Sequence, residues 1–92
     1  MILHIINRSP FTTNHLKNCL EVISPEDALL FMDDGVYALQ GGLLKNLPLK
    51  IHAIEMDLQA RGLNGSNSSA TLINYAQMVE LVAQYPLSKT WF

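Results

Sequence analysis

The chain has little cysteine, little charge and no basic run, and each shortage excludes a class of function. Its 92 residues include one cysteine, so it cannot form an internal disulfide or a cysteine-based zinc framework, which fits a reducing compartment. Charged residues make up 15% of the chain, and its net charge is −2. A surface that binds a phosphate backbone is normally basic, so independent nucleic-acid binding is not expected.

Glycine is missing where nucleotide-binding motifs need it. Residues 7–14, NRSPFTTN, follow the first predicted strand without a glycine, which argues against a Rossmann-type phosphate loop. No G-x-S-x-G elbow is present, and the histidines and aspartates show no recognised metal-ligand spacing. We therefore expect no cofactor and no bound metal.

The start of the chain has neither a basic leader nor a long apolar run. The apolar stretch in MILHIINRSP is far too short for a signal peptide or a membrane span. Together with the lone cysteine, this predicts a cytoplasmic protein with no membrane partner.

Hydrophobic residues are in surplus, at 49% of the chain, and they form strand patterns that alternate with helical ones. Such alternation indicates βαβ units and a parallel sheet. We predict a single domain over residues 1–92 with an α/β fold, in which three α/β/α layers surround a mainly parallel sheet of four to five strands. The predicted strands, with a polar loop at 64–69 between two of them, cover residues 2–7, 28–32, 50–55, 70–74 and 89–92.

The apolar surplus also bears on assembly, because it exceeds what so small a core needs. Either both faces of the sheet are buried, or another subunit covers part of the surface. Leu43, Leu44, Leu47 and Leu49 fit both interpretations, since they can cover the sheet or contact a partner.

Asp33, Asp34 and Gly35 interrupt two apolar segments at the predicted carboxyl end of the second strand. Ligands of parallel sheets bind outside such ends, so a catalytic or metal-binding role is one hypothesis. The alternative, which the pattern favours, is structural: one aspartate caps the following helix and Gly35 relieves the backbone at the turn.

Cys19 shares a helical face with Leu16, Leu20 and Ile23, which favours a packing role over that of a nucleophile. His4 and His52 each lie in an apolar strand, where a histidine is more often a core residue with a satisfied nitrogen than a ligand or a base.

Four stretches spread over almost the whole chain together resemble the DsrH/TusB family. No single stretch is specific, but their combination is, and Asp34 and Gly35 match the DG of the family. The stretches are LHIINRSPF at residues 3–11, LLFMDDGVYAL at 29–39, DLQARGL at 57–63 and SKTWF at 88–92.

The resemblance implies a subunit of a cytoplasmic sulfur-relay complex, TusBCD, which passes persulfide sulfur toward 2-thiolation of the tRNA wobble uridine. The implied partners are TusC/DsrF-like and TusD/DsrE-like subunits in a heterohexamer, with tRNA contacted only indirectly. The principal sulfur-carrying cysteine belongs to the TusD/DsrE-like subunit. This chain is therefore expected to act mainly as an interaction subunit that is not catalytic by itself. The apolar surplus separately suggests that the isolated chain can hide apolar surface by forming a homodimer.

Two alternatives remain open at this point. Some DsrH-type members of the DsrEFH complexes of sulfur oxidation have a cysteine on the first helix, in a context like HLKNCL. Cys19 matches that position and is the candidate persulfide carrier. The second alternative is a stand-alone domain that binds a small ligand at the strand ends, near Arg8, Ser9, Asp33 and Asp34.

Overall fold

A single parallel sheet of five strands, in the order β4-β3-β2-β1-β5, organises the chain. This computed structural model describes residues 1–65 and 69–92, so part of the predicted loop at 64–69 lies outside the described residues. The predicted α/β fold is confirmed, and all five strands are parallel. The elements are β1 (Ile2–Ile6), α1 (His15–Val22), β2 (Ala28–Phe31), a 3-10 helix (Asp33–Leu39), β3 (Lys50–Ile54), α2 (Glu55–Ala60), β4 (Thr71–Ile73), α3 (Tyr75–Gln84) and β5 (Leu87–Trp91).

The strand order explains how the helices divide between the two faces of the sheet. From β1 to β4 the chain moves across the sheet in one direction, so right-handed crossovers place α1, the 3-10 helix and α2 on one face. The return from β4 to β5 runs the opposite way and places α3 on the other face. Strand β2 lies at the centre, and all four of its residues are buried, as expected of a strand covered on both sides.

Two apolar clusters fill the space between the sheet and its helices. The larger lies under α1, the 3-10 helix and α2 and includes Ile6, Cys19 and Phe31. The smaller lies under α3 and includes Leu3, Leu30 and Ile54. The alternation in β1 divides its side chains between the two clusters, because neighbouring residues of a strand point to opposite faces.

The sequence predicts a capping box of Asn74 and Gln77 at the start of the last helix and a stop at Gly62 for the preceding one, and both boundaries are confirmed. Asn74 caps α3: its side chain accepts a hydrogen bond from the Gln77 N–H, and the Gln77 side chain accepts one from the Asn74 N–H. Gly62 follows α2 with a φ of 67°, and the Gly62 and Leu63 N–H groups bond back to the carbonyls of Gln59 and Leu58. This is a Schellman motif, which needs a left-handed residue at that position.

The sequence predicts a short helix that starts after Gly35 and fails at Gly41 and Gly42, and this prediction is wrong in the limits of the helix and in its type. A 3-10 helix already begins at Asp33 and ends at Leu39, so the two aspartates form its first turn. Gly41 and Gly42, each with a φ of 72°, then break the chain into turns. Of the four leucines that follow, Leu44 is buried, Leu47 and Leu49 are partly buried against the larger cluster, and Leu43 is 44% exposed, so three of the four pack on the core.

The longest described helix, α3, has 10 residues. No helix in residues 1–65 and 69–92 combines the length and hydrophobicity that crossing a membrane requires.

Candidate functional site

Asp57 is the centre of a polar cluster at the carboxyl end of the sheet. It lies in the first turn of α2, directly after β3, and is 8% exposed. Its carboxylate accepts a hydrogen bond of 2.7 Å from the backbone N–H of Asp33, which follows β2. Asp33 has a φ of 48°, so it occupies the left-handed region that non-glycine residues seldom adopt, and this bond holds it there.

Tyr75 joins the same carboxylate from the start of α3. Its hydroxyl lies 2.8 Å from both carboxylate oxygens of Asp57, so its one proton is shared between them. Burial and then the hydrogen bond to Asp57 raise the pKa of Tyr75 to about 12, so the side chain stays a phenol at neutral pH. The Asp57 carboxylate thus links the ends of three neighbouring strands through donors from Asp33 and Tyr75.

Arg61 forms hydrogen bonds with two residues on the outer side of this cluster. Its Nε donates to Asp34 Oδ1 at 2.9 Å, and its Nη1 donates to the backbone oxygen of Asp57 at 3.0 Å. The hydrogen bond with Asp34 raises the pKa of Arg61 above its already high value. Because Asp34 is exposed, the ion pair adds little stability, but it occupies the Asp34 carboxylate.

The details of the structural interpretation of the two aspartates are wrong. Neither side chain caps the 3-10 helix, whose N-cap position is Met32. Asp34 pairs with Arg61, and Asp33 takes part through its backbone. Gly35 is not the turn residue with a positive φ: a Cβ there would lie 2.0 Å from the carbonyl oxygen of Ile6, so glycine is needed for close approach.

Arg8 and Ser9 lie at the end of β1 and do not join this cluster through any contact recorded among the described residues. The Ser9 carbonyl accepts hydrogen bonds from the N–H groups of Thr12 and Thr13, and the Ser9 hydroxyl accepts one from Phe11. Ser9 thus shapes the turn before α1. Arg8 is exposed. The structure brings Asp33 and Asp34 together with Asp57 but leaves the other two predicted residues apart.

Cys19 lies inside the larger apolar cluster and is 0% exposed. Burial raises the pKa of its thiol to about 11, and the nearby Lys89 only partly opposes this. A thiol that stays protonated and has no exposed surface is a poor nucleophile.

In a second polar cluster, centred on His4, the polar side chains are likewise hydrogen-bonded to groups of the same chain. The Trp91 Nε1–H donates to His4 Nδ1 at 3.1 Å, so the ring proton of His4 must lie on Nε2. That proton is donated to Asp27 Oδ2 at 3.0 Å. Asp27 also accepts from the N–H groups of Ser24 and Ile2. Both nitrogens of His4 are satisfied, as predicted.

His52 differs from His4, and for it the prediction of a satisfied nitrogen is wrong. Both of its ring nitrogens are buried and have no hydrogen-bond partner in the described structure. Burial, and then the positive charge of Lys50, lower the pKa of His52. Both effects disfavour the charged form of this imidazole, which lies on the sheet face that α3 covers.

Three cavities lie away from the predicted strand-end residues. One of about 430 Å³ is at the amino ends of the strands, beside Asp27 and Lys50. One of about 350 Å³ lies between α1 and Leu43, and one of about 140 Å³ beside α2. Arg8, Ser9, Asp33 and Asp34 line none of these three. Among the described residues, no group of three His, Cys, Asp or Glu side chains is placed to hold a metal ion.

Comparison with known proteins gives matches over nearly the full chain. Residues 8–87 match the family described as DsrH like protein. The chain is 38% identical to Protein TusB of Escherichia coli over 98% of this chain and 100% of that protein. The Shigella boydii protein of the same name is 35% identical over the same shares. The chain belongs to the DsrH/TusB family.

The fold of this DsrH/TusB-family chain is also seen in a solved structure. The solution NMR structure of a Thermotoga maritima protein matches it with a TM-score of 0.66 and 28% sequence identity, over 91% of this chain and 93% of that one. The two proteins therefore share the same overall fold over most of both chains.

Sequence reasoning missed five residues of these clusters: Asp57, Tyr75 and Arg61 in the first, and Asp27 and Trp91 in the second. Asp57 lay inside a family stretch, DLQARGL, but nothing local marks it as buried. Its position gave a signal, because it lies two residues after a predicted strand, and Asp33 directly follows another. Asp27 had a comparable signal, a carboxylate just before a continuous apolar strand.

We expect the stability of this DsrH/TusB-family chain to fall in acid through Asp27. Burial raises the pKa of the Asp27 carboxyl, but the hydrogen bonds from His4, Ser24 and Ile2 outweigh it, and the pKa falls from 3.8 to about 2. Because the folded pKa is the lower one, the stabilisation is complete above about pH 4 and is lost as the pH falls toward 2. A shift of this size corresponds to about 2 kcal/mol of unfolding free energy.

Urea denaturation between pH 2 and pH 5 measures this effect. Asp27→Asn is expected to flatten the pH dependence of the unfolding free energy, whereas Glu26→Gln, which changes the exposed neighbouring carboxyl, keeps the wild-type slope. Equal slopes for the wild type and Asp27→Asn would contradict the assignment.

Proposed function

We propose that this chain is a non-catalytic subunit of a cytoplasmic sulfur-relay complex. Its implied partners are TusC/DsrF-like and TusD/DsrE-like subunits in a heterohexamer, whose sulfur goes to 2-thiolation of the tRNA wobble uridine. The full-length match to proteins named TusB supports this assignment. In this proposal the chain holds its sister subunits in place, and tRNA is contacted only indirectly.

The observation that carries the proposal is the burial of the one thiol. Sulfur transfer between persulfides needs an accessible thiolate that can attack and be attacked. Cys19 is 0% exposed, and its pKa is about 11. A subunit with this thiol contributes to a relay through its surface and not through its own sulfur chemistry.

The two polar clusters support the same role. The carboxylates of Asp57 and Asp27 accept hydrogen bonds from the chain itself, and both nitrogens of His4 are occupied. An acid or base that is fully engaged in this way holds strand ends and helices together. The described clusters are therefore suited to stiffening a scaffold that other subunits contact.

Complementation in cells that lack the natural chain tests the proposal. Cys19→Ala is expected to support wild-type levels of 2-thiouridine, measured by mass spectrometry of tRNA nucleosides, whereas cells without the chain lose the modification. The tagged chain is expected to purify with both sister subunits. The matched control is alanine at the relay cysteine of the TusD/DsrE-like subunit, which should abolish thiolation.

The carrier alternative gives the opposite results. Loss of thiolation in Cys19→Ala cells, with normal amounts of the assembled complex, would overturn the non-catalytic role. So would a sulfur added to Cys19 after incubation with a persulfide donor, detected by mass spectrometry of the intact chain. Failure to purify with the sister subunits would overturn the assignment to the complex itself.

A further inference from the structure

His52 lies in the middle of β3, on the sheet face that α3 covers. Because side chains alternate along a strand, Lys50 and Ile54 lie on the same face, and Ile54 belongs to the smaller apolar cluster. Both ring nitrogens of His52 are buried, and neither has a hydrogen-bond partner among the described residues. A buried polar group without a partner costs free energy, so this environment suits the ring poorly and a charged ring still less.

The strands beside His52 give it no group that could stabilise a positive charge. Its neighbours in the sheet are Leu30 on β2 and Thr71 on β4, and neither is charged. The other strand residues on this face are uncharged as well, except for Lys50 on β3 itself. Lys50 is positive, so it repels a protonated ring.

The helix above the ring does not supply the missing charge either. The one charged residue of α3 is Glu80, which is exposed and forms no ion pair or hydrogen bond with His52 in the described structure. Of the two tyrosines on this side, Tyr75 bonds to Asp57, and Tyr85 follows the last turn of α3. Burial, and then the charge of Lys50, lower the pKa of His52, in line with this geometry.

The helix α3 is only lightly held against the sheet. Of its ten residues, Leu81 alone is buried, and Met78 and Val82 are partly buried against the smaller cluster. The opposite face carries the larger cluster, under α1, the 3-10 helix and α2. An element with few buried apolar contacts opens locally at a lower free energy than the rest of the fold.

We propose that His52 is an acid-sensitive switch, and that its protonation loosens α3 from the sheet. The protonated ring has two N–H donors, so both buried nitrogens would need acceptors that this face lacks. Opening of α3 lets water reach the ring and hydrate the charge, while the helices of the opposite face stay in place. The switch lies within this chain and does not depend on the sulfur-relay role.

Acid shifts the equilibrium toward the open form of α3, and neutral pH shifts it toward the closed form. The closed form disfavours the proton, so its advantage is complete above about pH 6.5, the ordinary pKa of histidine, and is lost as the pH falls below that value. The equilibrium constant for opening rises by up to roughly tenfold per pH unit in this window. Asp27 loses its stabilisation in a separate window, between about pH 4 and pH 2.

Hydrogen exchange of the full-length chain, followed by mass spectrometry at pH 7.5 and pH 5.0, tests the switch. After correction for the intrinsic pH dependence of exchange, peptides from α3 are expected to lose at least about threefold in protection at the lower pH, whereas peptides from α1 change little. His52→Gln keeps a polar side chain that cannot be protonated, and it should abolish this loss. His15→Gln is the matched control, because it removes a histidine from α1 on the opposite face, and it should leave the loss in place.

Two further measurements keep the test independent of any one variant. His52→Leu replaces the unpartnered ring with an apolar side chain, so α3 should be at least as protected as in the wild type at pH 7.5 and no less protected at pH 5.0. In the wild type, the His52 ring is expected to titrate at a lower pH than a free imidazole in NMR spectra. The proposal would be overturned by a His52 ring that titrates at or above pH 6.5. It would also be overturned by an α3 whose protection ignores pH, or by an equal loss in α1 or in His52→Gln.

Discussion

Gly35→Ala is expected to destabilise the chain by at least about 3 kcal/mol, or to prevent folding altogether. The added Cβ would lie 2.0 Å from the carbonyl oxygen of Ile6 and 2.7 Å from its carbonyl carbon, and both are backbone atoms. A flexible side chain could move aside, but here the end of β1 or the start of the 3-10 helix must shift. The same Ile6 oxygen accepts the N–H of Met32, so the shift also strains the junction between β1 and β2.

Gly42→Ala is the matched control for this prediction. Gly42 has a φ of 72°, and a Cβ there would meet nothing within 4 Å, so the cost is conformational and about 1 kcal/mol. Unfolding free energies from urea titrations of both variants give the comparison. If Gly35→Ala cost no more than Gly42→Ala, the close approach to Ile6 would not be what requires glycine.

Local features were predicted well because they depend on neighbours in sequence. The capping box of Asn74 and Gln77 and the stop at Gly62 each involve residues a few positions apart. The sequence pattern is therefore enough to predict the hydrogen bonds that they form. Alternation of apolar runs with helical periods likewise indicated the parallel sheet. The sequence indicated that the turn needs a glycine at position 35 but not why. The carbonyl group of Ile6, which leaves no room for a Cβ there, is distant in the sequence.

The polar clusters were not predicted because each depends on the register of strands. His4 meets Asp27 across 23 positions and Trp91 across 87. Asp33 meets Asp57 only because β2 pairs with β3. Spacing along the sequence does not reveal such long-range contacts. Carboxylates close to the ends of buried strands are nevertheless the natural candidates for them. His52 shows the limit in the other direction: its position in an apolar strand gave no sign that its nitrogens would lack partners.

Cys19 is expected to react with a thiol reagent at least about a hundredfold more slowly in the folded chain than in the unfolded one, at neutral pH. Burial raises the pKa of the thiol from 9.0 to about 11, which lowers the thiolate fraction by about that factor. The lack of exposed surface slows the reaction further, since the reagent reaches the sulfur only when α1 opens from the sheet. Absorbance of a disulfide reagent, followed in buffer and in denaturant, measures both rates.

A variant that moves the thiol by one residue separates burial from the chemistry of the helix. In the double variant Asn18→Cys with Cys19→Ala, the thiol is still on α1 but on the exposed side of the helix. Adjacent residues point about 100° apart around a helix, and position 18 is exposed. This variant is expected to react at the rate of the unfolded chain. If Cys19 in the wild type reacted as fast as this variant, α1 would open often enough for persulfide exchange. Cys19 would then not be a purely structural residue, and the proposed non-catalytic role, which depends on its burial, would be wrong.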